Sequence, residues 1–268
     1  MVPGWIRSRG RPGPFRRLPR SSPAVYTRPI GFRQGRLVSV PSPSSSSTSS
    51  SSPSSLRAAD ATIRAADLRA ALHRARRAVD RHAAALTRLD AVLGDGDHGD
   101  NLSTGFRAVE ELLGELPIET RPGDLLGAVG HRLVATVGGA SGPLYGTALI
   151  EAGFRAGDAV ALDPPLVGEM LLAAAAGLAR RGRCAVGDKT ILDTLGPAAD
   201  AFAATIAAGG SGATAQAAAL SAARAGMRST RPLVARRGLA LRLGERSRGH
   251  LDPGAVSCFV LLLAVAER

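Results

Sequence analysis

The stretch "LRAALHRARRAVDRHAAALTRLDAVLGDGDHGDN" (residues 68–101) decides the fold, because a long helical pattern ends there in an acidic, glycine-rich corner. Apolar residues recur in it at spacings near three, four and seven: Leu68, Leu72, Val79, Leu86, Leu89 and Val92. Arginine and aspartate fill the intervening positions, a pattern typical of one amphipathic helix with a buried face. We expect the helical pattern to begin near residue 57 and to end at Gly94.

The rest of the chain repeats this alternation of helix and corner. Helical segments are predicted at about 101–116, 124–136, 143–156, 165–181, 189–208, 211–229 and 253–267. Alanine, a strong helix former, dominates several of them, and the alternating Val/Ile/Thr runs of strands hardly occur. The sequence therefore predicts an all-α single domain of about eight helices over residues 57–268, with Gly-rich corners. We expect the apolar run "VSCFVLLLAVA" (256–266) to lie in the core.

Residues 1–56 have a different composition and predict a disordered extension. They include the tract "PSPSSSSTSSSSPSS" (41–55), and no acidic residue occurs before Asp60. Without apolar periodicity, such a segment cannot bury enough surface to offset the entropy of ordering. An Arg- and Ser-rich, acid-poor N-terminus is also typical of organellar transit peptides. With 33 arginines against one lysine in the whole chain, the composition favours an overlong reading frame from a GC-rich genome.

The net charge of +12 belongs to this extension, because ten arginines lie within residues 1–59. The remainder holds 24 basic and 22 acidic residues, and aromatic residues make up only 3% of the chain. A nucleic-acid surface is therefore not predicted. Cys184 and Cys258 stand far apart and predict two buried thiols rather than a zinc site or disulfide. No apolar stretch reaches the ~18 residues of a membrane span, so we expect a cytoplasmic protein.

The first corner, "GDGDHGDN" (94–101), concentrates carboxylates around glycines. On a helix Asp95 and Asp97 would point some 200° apart, so the chain must leave the helix at Gly94 to bring them together. Asp90 joins them if the last helical turn ends in between. Three oxygen ligands without cysteine suit Mg²⁺. The alternative is a solvated Asp-Gly turn, with Asp100 or Asn101 capping the next helix.

Three further corners carry most of the remaining polar residues outside helix surfaces. In "GGASGPLYG" (138–146), Ser141 is a candidate helix cap, and the glycine N–H groups are open to an anion or simply allow close packing. In "RGRCAVGDKTILD" (181–193), the single lysine, Lys189, is either a compact point charge at a site or a surface residue without a functional role. The fourth, "LGERSRGHLDPGA" (243–255), is a charged loop before a helix that begins with proline.

These corners together resemble the L subunit of the bacterial dihydroxyacetone kinases, the DhaL or DAK2-type domain. The similarity rests on "LDAVLGDGDHGDNLSTGFRAV", "VGGASGPLYGT", "GDKTILDTLGPAADAF" and "LGERSRGHLDPGA", in the family's order, and covers about residues 64–267. The resemblance implies a barrel of eight antiparallel amphipathic helices, with a nucleotide bound in the loops at one end.

The resemblance also assigns residues to the nucleotide and its metal. Asp90, Asp95 and Asp97 would hold two Mg²⁺ ions that bridge the diphosphate of ADP or ATP. The phosphate and ribose side would be lined by His98, Gly99, Asp100, Asn101, Ala140 and Ser141. The remainder of the nucleotide would contact Gly182, Ile191, Asp252, Pro253 and Gly254.

The function implied by the resemblance is phosphoryl transfer between partner subunits. The nucleotide would accept phosphate from a phosphohistidine of a DhaM-type subunit and pass it to dihydroxyacetone on a DhaK-type subunit. Such transfer needs positioning and charge neutralisation more than a nucleophile, so no catalytic side chain is predicted. We expect a free-standing L subunit, which favours the phosphoenolpyruvate-dependent system; a homodimer is compatible with the sequence.

One position departs from the family pattern. The family reads "KGRA" before "LGERS", with an arginine facing the phosphates, whereas "RRGLALRLGERS" places Leu239 there. Either Arg237 or Arg242 supplies the phosphate contact through a local shift, or the protein binds nucleotide with weakened transfer. Two alternatives stay open: an L subunit for another small ketose or polyol, such as erythrulose, and a nucleotide-sensing regulatory partner without turnover.

Overall fold

The computed structural model describes residues 62–267. The predicted disordered extension, residues 1–56, lies outside the described part of the chain, as do residues 57–61 and 268. Within residues 62–267 the fold is all-α, as predicted, and the isolated bridge between Ile63 and Leu162 is the one β-type pairing.

Eight α-helices follow one another in the described chain, close to the predicted bounds. They are α1 (Ala65–Leu93), α2 (His98–Glu115), α3 (Pro122–Thr136), α4 (Ser141–Ala156), α5 (Pro164–Gly182), α6 (Leu192–Ala207), α7 (Gly212–Ser229) and α8 (Pro253–Ala266). A 3₁₀ helix at Leu239–Ser247, which the sequence did not predict, lies in the connection between α7 and α8.

The helices form a closed ring. Each packs against the next along the chain, and α8 packs back against α1. Neighbours run antiparallel, so α2, α4, α6 and α8 begin at the same end of the ring at which α1, α3, α5 and α7 finish. This arrangement gathers all four predicted corners at one end, as expected for a barrel with its site in the loops.

The core fills the inside of this ring, and its largest fully buried side chains are mostly aliphatic: Leu86, Leu102, Leu125, Leu133, Leu178 and Val129 belong to this set. The prediction that residues 256–266 are core throughout is only partly right. Cys258 and Ala264 are buried, whereas Leu263 and Val265 on α8 are 43% and 41% exposed. A helix in a single-layer ring keeps one face toward solvent, even when its sequence is apolar all round.

Several predicted helix ends are displaced. Residues 62–64 are not helical, because Ile63 exchanges N–H···O bonds of 2.9 and 2.8 Å with Leu162, so α1 begins later than expected. The residue that caps α2 is Asp97, not Asp100 or Asn101, since the turn at Gly96 (φ 77°) lets the helix start early. Ser141 is likewise already inside α4 and is not its cap.

The start of α8 agrees with the prediction. Pro253 is its first residue, and the Asp252 carboxylate accepts the Ala255 N–H at 2.7 Å. Of the two thiols, Cys258 is buried but Cys184 is only half-buried, and both are free. No helix within residues 62–267 combines the length and apolarity needed to cross a bilayer.

Candidate functional site

The acidic corner is organised by Asp90 in the last turn of α1. Its buried Oδ2 accepts backbone N–H groups from Gly96 at 3.0 Å, Asp97 at 3.1 Å and His98 at 3.3 Å. Such bonds to a carboxylate are strong, and they wind residues 94–98 around it. Gly94 is required here, because a Cβ on it would collide with Asp90 Oδ1.

This winding brings three carboxylates together. Asp90, Asp95 and Asp97 each offer an oxygen within 4.8 Å of the other two, with Asp90 buried and the others exposed. Three like charges at this separation repel one another unless a cation lies among them. An all-oxygen donor set with room for water fits Mg²⁺, so the residues fit the predicted metal. Sequence spacing correctly predicted that these side chains meet.

A cavity of about 420 Å³ opens beside this cluster. It lies among the ends of seven helices and includes most of the predicted nucleotide residues, which are His98, Ala140, Ser141, Gly182, Ile191, Asp252, Pro253 and Gly254. Its apolar wall comes from Leu93, Leu144, Leu178, Ile191 and Ala240. The three aspartates lie on its edge, so metal ligands and cavity form one site.

The first turns of α2, α4 and α8 face this cavity, through His98, Ser141 and Pro253, and Ile191 brings the start of α6 to it. Each helix N-terminus carries about half a positive charge, although Asp90 and Asp252 already accept first-turn N–H groups of α2 and α8. Four of them around one cavity favour an anionic ligand, while the adjacent carboxylates favour a cation. This pairing of opposite preferences suits a metal-bound phosphate group.

Four predicted ligand residues do not line the cavity. Gly99 packs against α1, where a Cβ would collide with the Ala83 carbonyl oxygen, and Asp100 is exposed. The Asn101 amide lies against Gly138, so it supports the cavity wall from behind. Arg242 is exposed and also lies outside the lining.

Arg237 is therefore the one of the two candidate arginines that reaches the cavity. Its Nε lies 3.5 Å from Asp188 Oδ2, in a half-exposed ion pair at the rim. Leu239 also lines the cavity and is 42% exposed, so this part of the wall offers an apolar side chain. Arg181, from the end of α5, is a further lining arginine that sequence reasoning missed.

His98 links the acidic corner to two other helices. Its Nδ1 is 3.0 Å from Ser141 Oγ on α4, and its Nε2 is 2.8 Å from Ser257 Oγ on α8. Burial lowers the pKa of His98, against the opposing pull of Asp90 and Asp97. The ring is therefore neutral near pH 7 and both nitrogens are used, which fits a positioning role.

Ser257 and Tyr145 extend this network and were missed by sequence reasoning. The Tyr145 hydroxyl is 2.7 Å from Ser257 Oγ, and Ser257 donates to the Gly254 carbonyl at 3.0 Å. Both residues are buried. No local sequence signal marks them, because the bond from His98 to Ser257 spans 159 residues.

Asp252 has a perturbed carboxyl group. Burial raises its pKa to about 7, assisted by the nearby carboxylates of Asp193 and Asp90 and opposed by the Ala255 N–H and by Lys189. Asp252 is half-buried by exposed area and faces the cavity, so solvent moderates this shift. Its charge is thus sensitive to pH and to an anion in the site.

Comparison with known proteins identifies the family. A family model described as the DAK2 domain matches residues 92–267. The chain belongs to the DAK2 domain family. This confirms the resemblance found in the four motifs.

Relatives of this DAK2 chain include both separate subunits and longer enzymes. It is 38% identical to the ADP-binding subunit DhaL of PEP-dependent dihydroxyacetone kinase 2 from Listeria innocua, over 70% of this chain and 88% of that protein. It is 36% identical to a D-erythrulose kinase from Mycolicibacterium smegmatis, over 71% of this chain but only 34% of that protein.

A solved structure shares the fold. The dihydroxyacetone kinase from C. freundii, in complex with AMP-PNP and Mg²⁺, superposes with a TM-score of 0.57 at 26% identity. The match covers 84% of the DAK2 chain and 38% of the kinase, so the chain spans little more than a third of that enzyme's length.

Proposed function

We propose that this protein is the nucleotide-carrying phosphotransfer subunit of a dihydroxyacetone kinase. The observation that carries the proposal is that three converging aspartates meet the N-terminal ends of four helices at one cavity. Its volume of about 420 Å³ lies in the usual range of small-ligand cavities, ~300–1,000 Å³. ADP or ATP would bind there with two Mg²⁺ ions.

Each part of the site would then have a distinct task. Asp90, Asp95 and Asp97 would hold the metal, and the bound Mg²⁺ would neutralise phosphate charge. Gly138 and Gly139 leave the backbone before α4 open for a close approach of phosphate oxygens. Arg237 would add a positive charge at the rim. It would thereby replace the family's arginine, whose position Leu239 occupies in this chain. No nucleophile is required of this chain, because phosphoryl transfer depends on positioning and electrostatics.

The subunit would act between two partners in the cytoplasm. A DhaM-type protein would supply phosphate from a phosphohistidine, and a DhaK-type protein would present dihydroxyacetone. The 38% identity to the ADP-binding subunit of a PEP-dependent dihydroxyacetone kinase supports this arrangement.

A second candidate substrate is another small ketose. The 36% identity to a D-erythrulose kinase supports it, because the substrate would be held by the partner and not by this cavity. Supplying the full-length chain with DhaK-type partners of each specificity, and measuring which ketose phosphate forms, separates the two candidates.

Nucleotide binding is tested by titrating ADP into the full chain with and without Mg²⁺ in a calorimeter. We expect binding with Mg²⁺, and loss of binding in EDTA and in Asp95→Ala. Binding that persists in EDTA would contradict the metal assignment.

A nucleotide sensor without turnover is favoured by one observation, the apolar Leu239 in the cavity wall. The test mixes the chain with DhaK- and DhaM-type subunits, phosphoenolpyruvate and dihydroxyacetone. Product formation supports the kinase subunit. No product from the wild type, with product restored by Leu239→Arg, would instead establish the sensor.

A further inference from the structure

Lys189 is the single lysine among 34 basic residues, and nothing in the proposed function uses it. It is 1% exposed, so it is not a surface residue, and although it borders the cavity its ammonium group is bonded to backbone carbonyls. Its backbone is left-handed (φ 65°), a conformation that side-chain-bearing residues rarely adopt. A buried, strained and chemically exceptional residue beside the cavity calls for an explanation.

We propose that Lys189 is a positioning residue that clamps the connection between α7 and α8, residues 230–252, and thereby holds this connection over the nucleotide cavity. This inference rests on the proposed function only for the identity of the ligand. The clamp itself is a property of the chain without ligand.

The Lys189 ammonium group uses all of its hydrogen-bond capacity on this connection. Nζ donates to the backbone carbonyls of Thr230 at 2.8 Å, Leu233 at 3.2 Å and His250 at 2.5 Å. An ammonium group has three N–H donors, so all three are satisfied. Two of the acceptors lie where the connection begins and one lies where it ends, so a single side chain joins both ends.

The two ends also contact each other. Gly249 N donates to Arg231 O at 2.8 Å, and Arg231 Nε donates back to Gly249 O at 3.0 Å. Asp252 N donates to Thr230 Oγ1 at 3.1 Å. Lys189 lies in the α5–α6 corner, outside this connection. Its bonds therefore attach both ends of the connection to the body of the barrel.

The segment between the two ends of the connection forms one wall of the cavity. Residues 237–240 line the cavity, and they include Arg237, Leu239 and Ala240. The apolar anchor beneath them is small, consisting of buried Leu93, Ala235 and Ala240 with half-buried Leu243. Since little apolar surface is buried, polar tethers such as Lys189 determine how firmly this wall is placed.

The clamp also explains why this position is lysine in a chain that otherwise uses arginine. An ammonium group is compact and directs three donors outward from one atom, whereas guanidinium is a planar fork. Three carbonyls converging within 3.2 Å of one atom fit the ammonium group. Burial lowers the pKa of Lys189 and nearby Asp252 and Asp193 raise it, so these carboxylates help to retain its charge.

The test compares the full-length wild type with Lys189→Met and Lys189→Arg, and uses Leu125→Ala as the matched control. Leu125 is fully buried in the first turns of α3, at the end of the barrel away from the cavity, so its truncation destabilises the fold without touching the clamp. Trypsin cleavage within residues 231–248, which contain the exposed Arg236, Arg237 and Arg242, is followed by mass spectrometry without nucleotide. ADP affinity with Mg²⁺ is measured in parallel, at a temperature where circular dichroism shows each protein folded.

We expect both Lys189 variants to be cleaved in this segment at least about tenfold faster and to bind ADP at least about tenfold more weakly. The control should stay within about twofold of wild type in both measurements. Wild-type cleavage in Lys189→Met, or equal acceleration in Leu125→Ala, would overturn the clamp. If Lys189→Met does not fold, Lys189→Arg decides, and a wild-type result for it overturns the argument from ammonium geometry. Failure of the wild type to bind ADP would refute the proposed function, whereas the cleavage rates would still test the clamp.

Discussion

Replacing Asp90 or Asp95 by alanine is expected to have different effects, on stability in the first case and on ligand binding in the second. Asp90→Ala leaves the N–H groups of Gly96, Asp97 and His98 without their acceptor. An unsatisfied buried donor costs about 1–3 kcal/mol. Only His98 is fully buried, because Gly96 is half-buried and Asp97 exposed, so water can replace part of the loss. We therefore expect Asp90→Ala to lower the free energy of unfolding by about 3 kcal/mol.

Asp95→Ala should leave stability unchanged or slightly raised in the absence of metal. Asp95 is exposed and makes none of the three bonds to the corner, and its removal relieves repulsion with Asp90 and Asp97. The variant should still lose ligand binding. At a ligand concentration 100 times Kd, wild type gains about 2.7 kcal/mol, and Asp95→Ala should gain nothing.

The assay is thermal unfolding in EDTA and then with ADP and Mg²⁺. For a domain of this size, 1 kcal/mol corresponds to about 2–4 °C in Tm. Asp90→Ala should thus melt about 6–12 °C below wild type in EDTA, while Asp95→Ala melts with wild type. A wild-type Tm for Asp90→Ala in EDTA would refute the structural role assigned to Asp90. A wild-type increase in Tm on adding ADP and Mg²⁺ to Asp95→Ala would refute the ligand-binding role assigned to Asp95.

Three other outcomes are expected. Because the pKa of folded Asp252 is raised to about 7, above an unfolded value of about 3.9, protonation favours the folded state. Its contribution to stability is full below about pH 4 and is lost as pH rises through about 7. Urea unfolding between pH 4 and 8 should therefore show that the free energy of unfolding falls less steeply with pH in Asp252→Asn than in wild type. Equal slopes of this free energy against pH in the two proteins would contradict the raised pKa. Ser257→Ala should cost about 1–2 kcal/mol and weaken ADP binding, because His98 Nε2 loses its partner; unchanged unfolding in urea would show that the bond contributes nothing. Deletion of residues 1–56 should leave both Tm and ADP affinity unchanged, and a loss of either in the truncated chain would disprove the prediction of a dispensable extension.

The helices and the acidic corner could be predicted because their signals are local. Apolar periodicity gave the bounds of most helices, and the spacing of Asp90, Asp95 and Asp97 required a corner at Gly94. Helix ends were less predictable, since the turn at Gly96 moved the cap of α2 from Asp100 or Asn101 to Asp97.

Long-range contacts were not predictable from spacing. The bond from His98 to Ser257 and the bonds from Lys189 to Thr230 and His250 join residues that the sequence separates widely. The choice between Arg237 and Arg242 likewise depended on how the α7–α8 connection folds, and that connection contains a 3₁₀ helix interrupted by a kink at Gly244.

The closed ring has a consequence for how such domains are built into larger proteins. The end of α8 lies beside α1, as the bond of 3.1 Å from Arg74 Nε to the Ala264 carbonyl indicates, and the start of α1 and the end of α8 both lie at the end of the ring away from the cavity. A polypeptide joined to either side would leave the cavity mouth open. New termini could also be cut into a corner at that far end after linking residues 65 and 266. The geometry thus allows this barrel to function either as a separate subunit or as one domain of a longer kinase.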